Sequence, residues 1–132
     1  MIDKVNIVKE SPLYKTEPWG YSEQKWFING VIKILTSLNP LNLLNCLQKI
    51  EKEIGEKSFK WGPRVIDLDV LFYNQEIIQE SEIEIPHPFL HLRNFVMIPL
   101  CEIAPNFSHP VFKIKIKDLL KRVKDKKKVI PL

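Results

Sequence analysis

The run Trp61-Gly62-Pro63-Arg64-Val65-Ile66-Asp67-Leu68-Asp69-Val70-Leu71-Phe72-Tyr73 decides how the rest of the chain is read. It opens on a turn, because Gly62 is conformationally permissive and Pro63 fixes its own φ. From Val65 onward β-branched and aromatic residues dominate, which predicts a strand. Side chains alternate along a strand, so Asp67 and Asp69 share one face while Leu68, Val70 and Phe72 enter the opposite layer.

Two carboxylates side by side repel one another and lose hydration. A hard cation between them removes the conflict, and magnesium is the natural choice, since it takes one or two carboxylates together with substrate phosphates. Arg64, just ahead of the strand, has a planar fork suited to phosphate oxygens. A solvated pair of rim aspartates is the alternative for an isolated D-x-D.

The full pattern W-G-P-R-x-I-D-L-D resembles the signature of the 6-hydroxymethyl-7,8-dihydropterin pyrophosphokinase family. That family moves a pyrophosphoryl group from ATP to the hydroxymethyl of a pterin, leaving AMP. The resemblance implies that Asp67 and Asp69 hold two Mg²⁺ ions and that Trp61 anchors a loop closing over ATP. The fold it implies is α+β, a ferredoxin-like α/β sandwich with an antiparallel sheet, in a single domain over residues 1–132.

Working outward, residues 5–14 alternate loosely and read as a strand, with Pro12 marking an edge or bulge. Residues 15–25 read as a long loop, and residues 27–36 as a second, strongly apolar strand. The Y-x-T-x-P-x-G stretch (Tyr14, Thr16, Pro18, Gly20) followed by Phe27-Ile28-Asn29 matches the family's pterin-binding segment. A flat heterocycle needs aromatic faces and a few in-plane polar partners. By resemblance Phe27 is one face, Thr16 and Asn29 are in-plane partners, and Pro18 and Trp19 belong to the loop that closes the site. The alternative is that Phe27 is core and Asn29 only interrupts a strand, although an amide within an apolar strand must find a partner.

Asn39 and Pro40 open a helix as N-cap and first helical residue. Leu43, Leu44, Leu47, Ile50 and Ile54 form its buried stripe, and Gly55 is placed at its end. Gln48 and Glu51 match the family's Q-x-I-E, whose residues approach the nucleotide; without the resemblance they are a solvated helical pair. The next loop carries Glu56, Lys57 and Lys60 where the family has arginines, and Lys60 is carried over as an ATP contact. Asn74-Gln75 reads as a tight turn, with residues 76–85 as the return strand. Pro86-His87-Pro88, with Arg93 and Phe95 beyond, matches the family's P-H and R-x-F. This implies that His87 and Arg93 contact ATP phosphates, that Phe95 is the second pterin face, and that Val70 lies by the nucleotide. His91 and His109 receive no role. Residues 114–128 read as a basic amphipathic helix with Ile116, Leu119, Leu120 and Val123 inward.

Apolar content of 45% and charged content of 27% are ordinary for a soluble globular chain. The net charge of +4 is unevenly spread: residues 113–132 hold nine Lys or Arg and two acids, while the remainder is net −3. The excess is a tail without interleaved aromatics, which argues against nucleic-acid binding. There is no signal peptide, and no apolar span of about twenty residues, so a cytoplasmic protein without a membrane partner is expected. Cys46 and Cys101 read as small buried hydrophobes.

The family opens with an apolar strand, G-S-N-x-G-D and a helix ahead of the segment that begins here near Val5. Neither that first strand nor that first helix is found, and an internal strand's absence is expected to leave unpaired edges. A late start, a gene fragment, or self-association over the gap would each account for it. Two functions follow: two-Mg pyrophosphoryl transfer within folate biosynthesis with ATP as co-substrate, or a degenerate nucleotide- or pterin-binding module without turnover.

Overall fold

Strand β1 (Val5–Glu10) pairs antiparallel with β4 (Ile32–Thr36), and its register slips between Ile7 and Lys9, so Val8 bulges out. The computed structural model describes residues 4–17, 26–57 and 66–132. The first predicted strand does not run unbroken to Tyr14. Pro12 ends it, as a residue without an N–H must, and β2 (Tyr14–Thr16) begins a separate ladder.

The second predicted strand divides likewise, into β3 (Phe27–Asn29) and β4, at Gly30. Ser11 explains the break. Its backbone N–H donates to the Val31 carbonyl and its hydroxyl accepts from the Val31 N–H, each at 2.9 Å. A Cβ on Gly30 would meet Leu13 Cδ2 at 2.9 Å, so a larger residue here would have to displace the end of that exposed side chain.

Helix α1 (Pro40–Lys57) starts as predicted: Asn39 Oδ1 accepts the Asn42 N–H at 2.9 Å. It passes through Gly55 rather than stopping there, because one glycine costs a helix only about 1 kcal/mol. Of its apolar stripe Leu43 is fully buried and Leu44, Leu47, Ile50 and Ile54 are half-buried.

Residues 66–73 are extended, but no β-ladder among the described residues includes them. The strand expectation fails for want of lateral partners. The backbone is held instead at separate points: the His87 N–H donates to the Leu71 carbonyl at 3.0 Å, and the Leu68 N–H to Glu51 Oε2 at 2.8 Å. The Asn74-Gln75 turn is as expected, with Asn74 at φ 51° and the Glu76 N–H bonded to the Tyr73 carbonyl. The return strand folds on itself as the small hairpin β5 (Ile78–Gln79) and β6 (Glu84–Ile85), closed by Glu80 N–H to the Ile83 carbonyl.

A 3₁₀ turn (Leu90–Leu92) leads into α2 (Asn94–Ile103). The predicted C-terminal helix is far shorter than expected. Only α3 (Ile116–Leu120) is helical, and the chain then runs on to β7 (Val129–Pro131), which pairs with the outer side of β2. Crowded lysines disfavour further helical turns, and bonds to Asp125 and Glu17 hold the backbone elsewhere.

The core gathers Leu90, Met97, Leu100, Ile116 and Leu119, with Leu71, Phe72 and Phe107 packed on it. Phe72 and Phe107 rings are 4.8 Å apart. Antiparallel ladders and helices together make an α+β molecule, consistent with the ferredoxin-like class, its sheet divided into β1–β4, β3–β2–β7 and β5–β6. Among the described residues no helix is long and apolar enough to cross a membrane.

Candidate functional site

Although 66–73 is not a strand, its residues alternate from 66 to 70. Ile66, Leu68 and Val70 are half-buried while Asp67 and Asp69 are exposed. Both carboxylates thus lie on the solvent side of one extended segment, with an apolar residue anchoring the chain between them. Glu51, on α1, accepts from the intervening Leu68 N–H and fixes that backbone. Gln48, one turn earlier, is exposed. Glu51 is accordingly no free helical surface charge; its partner lies seventeen residues on, which helix spacing alone cannot show.

His87 lies close enough to Asp69 to feel its charge. Its N–H holds Leu71, and its Nδ1 accepts the Phe89 N–H at 3.2 Å. In the neutral ring the proton is therefore assigned to Nε2, leaving a donor for an oxygen anion. Burial pushes the His87 pKa below the usual histidine range; the charges of Asp69 and Glu84 oppose this and Arg93 adds to it. Asp69, His87 and Arg93 consequently share one electrostatic neighbourhood. The Arg93 guanidinium lies 5.6 Å from the Phe89 ring centre and 5.7 Å from that of Phe95, within cation–π range.

A second cluster sits on β2 and β3. Asn29 Nδ2 donates to Thr16 Oγ1 at 2.9 Å, so the two polar residues assigned to one ligand edge are bonded to each other. Thr16 is buried and Asn29 half-buried. Phe27 is 57% exposed, which sets aside its reading as a core residue. Tyr14, at the start of β2, donates from its hydroxyl to Glu102 Oε1 on α2 at 3.0 Å. Burial foremost, then that bond and the Glu102 charge, raise the Tyr14 pKa.

Lys60, Trp61 and Arg64, and likewise Pro18 and Trp19, lie outside the described residues. The sequence reading missed Asp125, which bonds to the start of α2, and Glu17, which bonds to Lys128. As one of only two acids in the basic tail, Asp125 carried a faint signal. The lowered Lys127 pKa, set first by burial and opposed by Asp125 and Glu17, puts this tail near Arg93 as well. A cavity of about 160 Å³ on another side of His87 is bordered by Glu84, His87, His91, His109 and Phe112, and among the described residues the buried His91 Nδ1 has no hydrogen-bond partner.

Among the described residues no three His, Cys, Asp or Glu side chains converge as a metal cage. Two outward carboxylates suit a different mode, in which magnesium keeps waters and completes its octahedron with phosphate oxygens. The acidic pair fits such ions. Arg93 and His87 near Asp69 suit a polyphosphate, and an exposed aromatic near bonded polar groups suits a flat ring.

Residues 1–105 match the family model described as 7,8-dihydro-6-hydroxymethylpterin-pyrophosphokinase (HPPK). The chain is 45% identical over 115 residues to the 2-amino-4-hydroxy-6-hydroxymethyldihydropteridine pyrophosphokinase of Aquifex aeolicus (strain VF5), covering 86% of this chain and 72% of that protein. It is 42% identical over 129 residues to the protein of the same name from Haemophilus influenzae, covering 97% and 80%. With the Bacillus subtilis protein of that name it shares 45% identity over 101 residues, 76% of this chain and 60% of the other.

Proposed function

The chain belongs to the 7,8-dihydro-6-hydroxymethylpterin-pyrophosphokinase family, and from that premise we propose that it transfers pyrophosphate from ATP to 6-hydroxymethyl-7,8-dihydropterin in folate biosynthesis. In the reaction the pterin hydroxymethyl oxygen forms a bond to the β-phosphorus of ATP. The bond from that phosphorus to the α–β bridging oxygen breaks, AMP departs with the electron pair, and the hydroxyl proton is released. Such a transfer depends on alignment and charge neutralisation more than on covalent chemistry.

Asp67 and Asp69 would hold two Mg²⁺ ions. When bound, these supply Lewis-acid neutralisation of the phosphate oxygens. The chain's own groups do the rest. Arg93 and the Nε2–H of His87 take phosphate oxygens, joined by Arg64 and Lys60, and stabilise charge as it collects on the departing AMP. Gln48, Glu51 and Val70 border the nucleotide, and Trp61 anchors the loop above it. Phe27 and Phe95 stack the pterin, Thr16 and Asn29 orient it, and Pro18 and Trp19 close over it.

The observation that carries this reading is the outward pairing of Asp67 with Asp69 beside His87 and Arg93. A cytoplasmic location goes with it, and the free thiols of Cys46 and Cys101 suit a reducing compartment. Self-association through the exposed β1–β4 ladder completes the proposal. The test is AMP release from ATP, Mg²⁺ and the hydroxymethyl pterin. Asp67→Ala and Asp69→Ala should each lower the rate by about 10³-fold, several kcal/mol of transition-state charge stabilisation being lost. Turnover by both variants at the parent rate would end this assignment.

A further inference from the structure

The pterin reading divides the ring's surroundings between two elements far apart in sequence. Phe27, Thr16 and Asn29 lie on the β2–β3 pair, whereas Phe95 lies in the first turn of α2. A stacked ring tolerates little change in their separation. The Tyr14–Glu102 bond crosses between the elements near the far end of α2, most of the helix away from Phe95.

The tail crosses at several. Asp125 Oδ2 accepts the Asn94 N–H at 3.2 Å, Asp125 Oδ1 accepts the Lys127 N–H at 3.0 Å, and Asn94 Nδ2 donates to the Lys127 carbonyl at 3.0 Å. These three bonds close a ring around the start of α2. Arg93, the residue at the N-cap position, makes no side-chain cap bond, so Asp125 serves that helix end from a distant part of the chain. One residue on, the Lys128 N–H donates to Glu17 Oε1 at 3.0 Å and the Lys128 carbonyl accepts the Glu17 N–H at 3.1 Å. Val129 then opposes Thr16 in the β2–β7 ladder. Within five residues the chain is bonded to both halves of the pterin site.

We propose that Asp125 is a positioning residue for the pterin, acting through Asn94 to hold Phe95 at a fixed distance from Phe27 and Thr16. The inference rests on the pterin pyrophosphokinase reading and extends it to residues beyond 105, where the family match ends. Asp125, Asn94 and Lys127 are all half-buried, so these charge-assisted bonds are partly shielded from water. Loss of the clamp affects the two substrates differently. Arg93 reaches phosphate at the end of a long side chain, and charge attraction tolerates a shifted backbone. Ring stacking does not.

The test uses the full chain with Mg²⁺ and a non-hydrolysable ATP analogue, reading pterin binding by its fluorescence and analogue binding separately, well below each variant's unfolding midpoint. Asp125→Ala is expected to weaken pterin binding about tenfold, the worth of a charge-assisted hydrogen bond, and to change analogue binding by less than about twofold. Asp125→Glu, which keeps the acceptors, should recover part of the loss. Asn94→Ala removes the side-chain bond to the Lys127 carbonyl at the same clamp and should give the same split, which keeps the test decisive if Asp125→Ala does not fold. Unchanged pterin binding in a folded variant, or equal losses for both ligands, would overturn the proposal. Failure of the parent protein itself to bind pterin would instead remove the functional reading, and the clamp with it.

Discussion

Glu51 shows how much one carboxylate settles. Its Oε2 takes the N–H of Leu68, the residue between the two aspartates, so α1 fixes the spacing of the acidic pair. In Glu51→Ala that half-buried donor loses its acceptor, and unfolding in urea should report a loss of about 1–3 kcal/mol. Glu51→Gln keeps an amide oxygen at the same reach and should lose less. The magnesium concentration for half-maximal turnover should rise in both. A Glu51→Ala protein with the parent's urea midpoint would show the bond to be dispensable. Asp69 makes the opposite case: it is exposed, so Asp69→Asn should alter stability by no more than about 0.5 kcal/mol while turnover collapses. The outward placement of Asp67 and Asp69 could be read from alternation alone. The bond that holds them could not, because its partner sits on another element.

At the scale of elements, some local signals read true and others did not: Gly55 failed to end α1, and the 114–128 pattern is helical only at Ile116–Leu120. Asn39 caps α1 as its residue type demands, and Asn39→Ala should cost about 1 kcal/mol in thermal or urea unfolding, with Asn39→Asp close to neutral. Pro12 was visible as an edge or bulge, whereas the break at Gly30 was not read, since residues 27–36 looked like one apolar strand. The extended 66–73 segment looked like a strand because its residue types favour one, yet a strand also needs neighbours, which composition does not report. The turn at 109–112 was illegible. There His109 Nδ1 accepts the N–H groups of Val111 and Phe112 at 3.1 and 3.2 Å, while its ring stacks on Phe112 at 4.3 Å. A proton on Nδ1 would break both bonds. Burial, and to a smaller degree His91, hold the His109 pKa below its ordinary value near 6.5. The unfolded chain therefore takes the proton first. Stability is complete above the unfolded pKa and falls as pH drops from about 6.5 toward the lower folded value, by at most about 1.4 kcal/mol per pH unit for one group. His87, lowered for a similar reason, adds to the same slope. His109→Asn should flatten the dependence of the urea midpoint on pH in this window without abolishing it. An unchanged slope would exclude His109 as a contributor.

Across the whole molecule, pairing partners lie far apart in sequence, and this limits what can be read in advance. β7 joins β2 across more than a hundred residues, and nothing in Val129-Ile130-Pro131 names Thr16 as its neighbour. The lysine-rich approach to it resembled a solvated helix face until the bonds to Asp125 and Glu17 accounted for its extended path. Among the described residues β1 and β4 form a ladder of their own, and such two-stranded units are marginal in water without further cover. Ile7 and Val8 are each 57% exposed, and Leu35 on the partner strand is 66% exposed. Exposed apolar side chains on such a ladder favour association between molecules. Sedimentation should therefore show an average mass that rises with protein concentration. Leu35→Lys places a strongly hydrated charge on this surface, where edge lysines oppose strand addition, and should return the protein toward the 15.6 kDa monomer. Because Leu35 contributes little to the core, the same change should shift the unfolding free energy by no more than about 0.5 kcal/mol. A parent protein that stays monomeric at every concentration, or a Leu35→Lys variant that associates as readily as the parent, would count against association through this ladder.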